Sequence, residues 1–509
     1  MVGKRTINVP LNRVEGDLDV SVEIDNGIVT DVKCSGIMYR GFEKIMVGRG
    51  ALDGLVITPR ICGICSTAHL MCAAMALDTI ANVSPPPDAI RVRNVTLMAE
   101  MIQSDMRHGF LMYTSDFVNP AYQKKDFYES SVKRFEPFKG EAVIETIRET
   151  KKILEIVAIL GGQWPHSSFM VPGGVASIPN QDDLVKCMLL LEQYRKWYEE
   201  KILGCSLERW QAVKSSEDLD QWLEEKDTHR NGHLGFYLQV AKSIGLEKKG
   251  KGYQSFISYG GLKIPEGSAL NDKFDQGQLI PSGFYHESRH QAFDNEKILE
   301  HVAFSWFEDT DAGVHPSFGQ TNPYATGYEG QKYSWAKAPR YDGNPSETGP
   351  LAEMIIGQNP LFVDLLKKQG ANVCMRQMAR LVRPAELIPA MKLCLSEIVA
   401  DGVFYQRHNE IIDGEGYGLT QVTRGALGHW VRIEEGKIAA YQIISPTTWN
   451  LSPRDSEGIR GPAEEALIGA CVNDITNPVE LGHIVRSFDA CLVCTVHTVD
   501  KGNKSQILI

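Results

Sequence analysis

A chain of 509 residues with 43% hydrophobic and 23% charged residues is long enough to bury a large core, and its balance is that of a globular protein, not a disordered or fibrous one. A formal charge of −11 without a basic stretch argues against a nucleic-acid partner. No apolar run approaches the ~20 residues of a membrane span, and the first ten residues lack the apolar core of a signal peptide, so no transmembrane segment is expected.

Taken in order, residues 5–36 predict a hairpin: Leu18, Val20, Val22 and Ile24 alternate along one strand, Asp25-Asn26-Gly27 turns, and Ile28, Val32 and Cys34 continue. Arg13-Val-Glu15-Gly16 stands just before it, and taken alone it reads as an ion pair and a turn glycine. Arg40-Gly-Phe-Glu43 reads as a polar strand exit. The stretch Arg60-Ile-Cys-Gly-Ile-Cys-Ser-Thr-Ala-His69 then opens a helix over 65–83, with Cys65, His69 and Cys72 on one face. His69 is either a satisfied core histidine or a hydrogen-bonding neighbour of whatever Cys65 binds.

Residues 88–118, 141–161 and 181–203 carry helical periodicity and predict a bundle of long helices. Asp105 and His108 lie three apart on one face of the first, where most such pairs are solvated. Residues 161–175 read as a loop rich in turn formers, and 250–345 as irregular β structure and long loops. Tyr333–Tyr341 closes this region and leads to Glu347 and Gly349-Pro350. Helices resume over 351–369 and 376–402. Thr423-Arg424-Gly-Ala-Leu-Gly-His-Trp430 leads into a second hairpin across Glu434-Glu-Gly436, and a final helix over 479–490 delivers Asp489-Ala-Cys-Leu-Val-Cys-Thr-Val-His497. With no internal repeat or low-complexity linker, the fold class is α+β and 1–509 is one domain.

Two Cys-x-x-Cys pairs, Cys62/Cys65 and Cys491/Cys494, stand more than four hundred residues apart. Thiols three apart share one side of a helical turn and offer two sulfurs to one point. Four thiolates suit zinc or an iron–sulfur centre, but sequence-local zinc modules keep their pairs within roughly 15–20 residues, so these can meet only through a completed tertiary fold. The alternative is that they never meet and act as redox dithiols or packing thiols. Eleven cysteines, an odd and scattered set, fit a reducing compartment better than a disulfide framework. Cys34, Cys72, Cys187, Cys205, Cys374, Cys394 and Cys471 are expected as core thiols.

With their flanks, Arg60-x-Cys-Gly-x-Cys-x-x-x-His69 and Asp489-x-Cys-x-x-Cys-x-x-His497 resemble the large, catalytic subunit of nickel–iron hydrogenases, over nearly the whole chain. The loop 161–175 and Arg13–Val20 resemble the group 2 uptake branch. The resemblance implies a nickel–iron centre with Cys62 and Cys491 terminal on nickel, Cys65 and Cys494 bridging, and carbon monoxide and cyanide on iron. It implies magnesium held by Glu43, the carbonyl of Ile443 and His497. Glu15 then relays protons beside a nickel-bound cysteine, and Arg424 hangs over the open face of the metals. Pro446 and Thr447 contact the diatomic ligands, while His69, Asp105 and Asp489 stand behind the ligands. The base is either a terminal cysteine such as Cys491 relaying to Glu15, or Arg424 itself; a guanidinium with pKa above ~12 is a poor base, which favours the thiolate.

The same resemblance implies dihydrogen oxidation, an obligate small subunit carrying the iron–sulfur clusters, a quinone or other respiratory acceptor, and a higher oligomer of heterodimers. It also implies a cytoplasmic location with membrane association through partners, nickel-insertion factors, and a maturation protease that removes 498–509 after His497. The alternative function is a hydrogen sensor with slow turnover. Thr423 and Ala490 stand where the family often has proline, which adds backbone freedom but removes no ligand.

Overall fold

The computed structural model describes residues 4–271, 276–310, 312–319, 321–327 and 330–495. Its N-terminal sheet has three antiparallel strands in sequence order, β1 (Arg5–Pro10), β2 (Leu18–Asp25) and β3 (Ile28–Gly36). Leu18, Val20, Val22 and Ile24 all face the core, as a half-buried strand requires. Asn26 and Gly27 both take positive φ at the turn, the conformation that matches the twist of the flanking strands. The expected hairpin is therefore one strand short: β1 pairs with β2 through Ile7 and Val9, only partly buried. Ile28 is also exposed, at 41%, so the buried alternation on β3 starts at Val29.

The predicted long helices are present. They are α1 (Ser66–Ile80), α2 (Pro87–Arg107), α3 (Glu141–Gly161) and α4 (Gln181–Trp197), the last started by a reciprocal Asn180–Asp183 capping box. Beyond α2 the chain continues through a π turn over His108–Tyr113 and a 3-10 turn to Val118. Both α1 and α2 are buried on nearly every side, which marks them as the centre of the molecule. The 250–345 region holds β4 (Ser255–Lys263), β5 (Gln278–His286) and β6 (Arg289–Gln291) in one sheet, and β7 (Ile298–His301) paired with β8 (Ala338–Tyr341).

The two helices expected over 351–402 are four: α5 (Pro350–Ile356), α6 (Pro360–Gln369), α7 (Val373–Val382) and α8 (Pro384–Glu397). Three of them begin on proline, which is preorganised for a first helical turn and disfavoured in the interior of a preceding one, although α8 itself carries Pro389 within it. The second predicted hairpin is likewise three strands, β9 (Gly414–Val422), β10 (Gly425–Glu434) and β11 (Lys437–Ile444). Strand β9 lies directly on α1. A Cβ at Gly418 would come within 2.0 Å of the Cys72 carbonyl oxygen, so only glycine allows that approach. The short helix α9 (Pro446–Asn450) follows β11, and α10 (Val479–Ser487) runs down to Asp489. No helix among the described residues is long and apolar enough to cross a membrane.

Candidate metal centre

The first cysteine pair sits where a 3-10 turn over Thr58–Arg60 feeds α1. Cys65 occupies the N-cap position, with φ −116° and ψ 40°, and its sulfur makes no cap bond to the helix it begins. The Ile64 amide donates to Cys62 Sγ at 3.3 Å. From the other end of the chain, Cys491 pairs in parallel with Glu15. The Glu15 amide donates to Ala490 O at 3.3 Å, the Leu492 amide to Glu15 O at 2.6 Å, and the Cys491 amide to Thr447 Oγ1 at 2.9 Å. Gly16 makes this docking possible: its φ is +86°, and a Cβ there would lie 3.0 Å from Val493 N and 3.1 Å from Leu492 Cβ.

The outcome is one site. Cys62, Cys65, Cys491 and Cys494 are all buried and their sulfurs lie within 4.8 Å of one another. The separations of 3.7 Å (Cys62 to Cys491), 3.3 Å (Cys65 to Cys494) and 3.0 Å (Cys491 to Cys494) exceed a disulfide bond of about 2.05 Å and crowd four soft donors around one volume. Such crowding of thiols is costly unless a metal deprotonates and gathers them.

Charge is arranged around the sulfurs. Arg424 is buried and donates from Nε to Asp489 Oδ1 at 3.1 Å, while its Nη1 has no hydrogen-bond partner among the described residues. Burial works against the guanidinium, but Asp489 and the thiols Cys491, Cys65 and Cys62 outweigh it and hold Arg424 firmly protonated. Burial also opposes the charge on Asp489, yet Arg424, His108 and Arg380 bring its pKa down to about 2. Arg380 Nε stands 3.4 Å from Asp489 Oδ2. Glu15 is half-buried; burial raises its pKa, and the thiol of Cys62 pushes the same way against Arg424.

His69 shares a hydrogen bond through Nδ1 with His429 Nε2 at 3.1 Å, and His429 Nδ1 another with the Tyr441 hydroxyl at 2.9 Å. Burial lowers the His69 pKa to about 4 even though Cys62 favours its cation. One of its ring nitrogens is thereby committed to His429. Cys72, on the same helical face, turns instead to the carbonyl of Leu427 at 3.4 Å.

Other sequence expectations fare differently. Asp105 and His108 are buried, not solvated: Asp105 receives a two-pronged bond from Arg383 at 2.8 and 2.8 Å, and His108 donates from Nε2 to Arg486 O at 2.8 Å. Asp105 reaches the centre through Arg380, 3.9 Å away, and through Arg383, which donates to Thr423 O at 2.6 Å. Glu43 accepts the Ile443 amide at 2.9 Å and Lys337 Nζ at 3.2 Å on Oε1, and the Thr321 hydroxyl at 3.1 Å on Oε2. Lys337 Nζ also meets Glu300 at 2.8 Å and Gln442 at 3.0 Å, so a buried cation already stands at Glu43. Pro446 and Thr447 open α9 beside Cys491. His497 and the tail 498–509 lie outside the described residues. Cys471 is exposed and Cys205 and Cys374 are partly so, against the expectation of core thiols; Cys471 pairs in an isolated bridge with Ile28 at the sheet edge.

Arg40 was missed as a functional residue. It donates from Nη1 to the carbonyls of Ile61 and, at 3.3 Å, Val493, and from Nη2 to Arg60 O at 3.1 Å, so one guanidinium ties both cysteine segments together. Its only signal in the sequence was an arginine beside Gly41 and Glu43. Arg380 and Arg383, on or beside a helix with an apolar face, gave none.

The sequence model of the nickel-dependent hydrogenases matches residues 40–133 and 233–497. The large subunit of the periplasmic [NiFeSe] hydrogenase of Desulfomicrobium baculatum is 33% identical, over 98% of this chain and 96% of that one. An uptake hydrogenase large subunit of Rhizobium leguminosarum bv. viciae is 29% identical, again over 98% and 96%. Among solved structures, the Ni-Fe-Se hydrogenase of D. vulgaris Hildenborough in its reduced state superposes with a TM-score of 0.81 at 31% identity, covering 97% of this chain and 100% of that one. With four converging cysteines at its centre, the chain belongs to the nickel-dependent hydrogenase family and is the catalytic large subunit of a nickel–iron hydrogenase.

Proposed function

We propose that this subunit oxidises dihydrogen and passes the electrons to an iron–sulfur small subunit, and from there to a quinone or another respiratory acceptor. The observation that carries this reading is the buried set of four cysteine sulfurs within 4.8 Å, faced by a guanidinium whose Nη1 is unpaired among the described residues. Soft thiolates fit nickel and iron, and an orphaned cationic donor over them fits a site where negative charge and small polar ligands gather. Cys62, Cys65, Cys491 and Cys494 would hold a nickel–iron pair, which would supply the redox chemistry that splits dihydrogen into two protons and two electrons. Carbon monoxide and cyanide on the iron, contacted by Pro446 and Thr447, belong to the same proposal.

The chain's own residues then handle the proton. Arg424, kept protonated by Asp489 and the thiols, orients and neutralises but does not accept; the thiolate of a terminal cysteine takes the proton and passes it to Glu15. The raised pKa of Glu15, from burial and from Cys62, suits a carboxylate that must hold a proton briefly. Among the described residues no second metal-binding cluster is found, so electrons need clusters outside this chain. A partner surface is supported by Ile45, Val47, Leu52 and Val56, exposed at 43–51% on the segment just before the first cysteine pair.

Magnesium on Glu43, the Ile443 carbonyl and His497 remains part of the proposal, with Lys337 sharing Glu43. The location is read as cytoplasmic, with membrane association through partners. Nickel-insertion factors, and a protease that trims the chain after His497, belong to the same reading, as does a higher oligomer of heterodimers.

The deciding experiment is infrared spectroscopy, with nickel, iron and magnesium quantified, on the complex copurified with its small subunit. Carbon monoxide and cyanide bands with one nickel per large subunit are expected. Their absence from protein already trimmed after His497 would overturn the reading.

A further inference from the structure

The start of α1 poses a problem that its own sequence does not solve. The first turn of a helix leaves amide donors unsatisfied, and the N-cap side chain usually accepts from the second and third helical residues. Here the N-cap is Cys65, which makes no side-chain cap because its sulfur faces the other three cysteines. The acceptor comes from a neighbouring helix. Glu100, midway along α2 and 0% exposed, accepts the Thr67 amide at 2.8 Å on Oε2 and the Ala68 amide at 2.9 Å on Oε1. Those are the second and third residues of α1. Oε2 also receives Trp164 Nε1 at 3.2 Å and the Ser66 hydroxyl at 3.5 Å. A carboxylate at a helix N-terminus is further favoured by the helix dipole.

We propose that Glu100 is a positioning residue for the metal centre, a surrogate N-cap from α2 that fixes the start of α1 and with it Cys62 and Cys65, freeing the Cys65 sulfur to be a ligand. Trp164 extends the device. It stands in the loop after α3, and two residues on, His166 Nδ1 donates to Pro59 O at 2.8 Å. The cysteine segment is thus held from one side by Glu100 and from the other by the loop, with Trp164 joining the two. The geometry demands two acceptor oxygens. An amide in place of the carboxylate sets an N–H₂ group against either Ala68 or the Thr67 and Trp164 donors.

This rests on the nickel–iron reading of the centre, and the test separates the two. Wild type, Glu100→Gln and Trp164→Phe are prepared as complexes with the small subunit. Amide hydrogen exchange is followed over 66–70, alongside nickel content and the infrared bands of the centre. In Glu100→Gln, exchange at whichever of Thr67 and Ala68 faces the new N–H₂ is expected to rise roughly tenfold, the scale of a buried donor left unpaired, and the bands to move from their wild-type positions. Trp164→Phe keeps both backbone bonds and is expected to move the bands less, with Ala68 exchange unchanged. Faster exchange or a lower melting temperature with unmoved bands would reduce Glu100 to a purely structural role and overturn the proposal. So would wild-type exchange. Where Glu100→Gln yields no complex, Trp164→Phe decides: wild-type bands overturn it. Absence of bands from the wild type itself would fail the nickel–iron reading, and with it the role at the metal, whereas hydrogen exchange would still report whether the cap exists.

Discussion

Behind each cysteine pair stands one fully buried carboxylate, and the two are opposites. Glu100, behind Cys62 and Cys65, is surrounded by neutral donors: two backbone amides, an indole and a hydroxyl. Burial pushes its pKa up to about 7, since hydrogen bonds from Thr67, Ala68 and Trp164 only partly offset the lost hydration. Asp489, beside Cys491 and Cys494, faces Arg424 at 3.1 Å and Arg380 at 3.4 Å, and these hold it near 2 despite equal burial. The first carboxylate shapes backbone; the second shapes charge. Correspondingly the first pair is built into a long, buried helix, whereas the second rests on a short segment docked through Glu15, Gly16, Thr447 and Arg40.

The comparison breaks most completely at the sulfurs, where both sides must fail alike. Cys491→Ser is expected to leave only a trace of nickel and to lower turnover more than the roughly 10–100-fold typical of removing an outer partner of a metal ligand. Cys62→Ser should do the same. Nickel analysis and hydrogen-uptake assays on the copurified complex check this. Retention of nickel by either variant would show that the pairs are not one ligand set.

Asp489→Ala sharpens the contrast at the next level. It removes the carboxylate from Arg424 and leaves Arg380 with Asp105 at 3.9 Å and Ser487 O at 3.2 Å, and uncompensated buried charge typically costs about 3–5 kcal/mol. The midpoint of urea unfolding should fall by the equivalent amount, and turnover should fall with it because Arg424 loses its anchor. A midpoint within about 1 kcal/mol of wild type, the range of an ordinary exposed ion pair, would mean that Arg424 and Arg380 find other partners and that Asp489 does not govern the charge of the site.

What could be read from the sequence divides along the same line. The four cysteines were legible because ligand chemistry fixes residue type and local spacing, and the long helices because burial on one face repeats every turn. Even the π turn at His108 fell inside the stretch 88–118 predicted as helical. Partnerships between distant segments were not legible. Glu100 lies 33 residues from Thr67, and Arg383 lies 278 from Asp105. In sequence, a buried glutamate on α2 and an arginine on α7 look like the solvated charges that such helices usually carry. Taken alone, Asp105 and His108 read as such a pair, and only the family resemblance sets Asp105 behind the ligands. Strand β1 was missed because a partly buried edge strand without a turn before it leaves only Ile7 and Val9 as evidence.

The smallest expected effect is the most discriminating, because the two carboxylates bend the pH dependence of stability in opposite directions. Glu100 binds a proton more tightly folded than unfolded, so its contribution is present below the unfolded value of about 4.3 and is lost as pH rises to about 7. Asp105, Glu300 and Glu464, each also raised to about 7 by burial, act the same way. Asp489 is depressed, so its contribution is present above about 3.9 and is lost as pH falls through about 2. Four buried imidazoles add to that acid limb: burial lowers His69 and His483 to about 4 and His108 and His233 to about 3, and each favours unfolding as pH drops below its ordinary value of about 6.5. Between pH ~4.3 and ~6.5 the carboxyl and imidazole contributions oppose each other and the urea midpoint should be nearly flat, with a shallow decline to pH ~7 and a steep fall below pH ~4. Glu100→Gln should lessen the shallow decline and leave the acid limb alone, whereas Asp489→Asn should soften the acid limb and leave the decline alone. Should both variants change the same limb, the two carboxylates would not differ in the way their partners require.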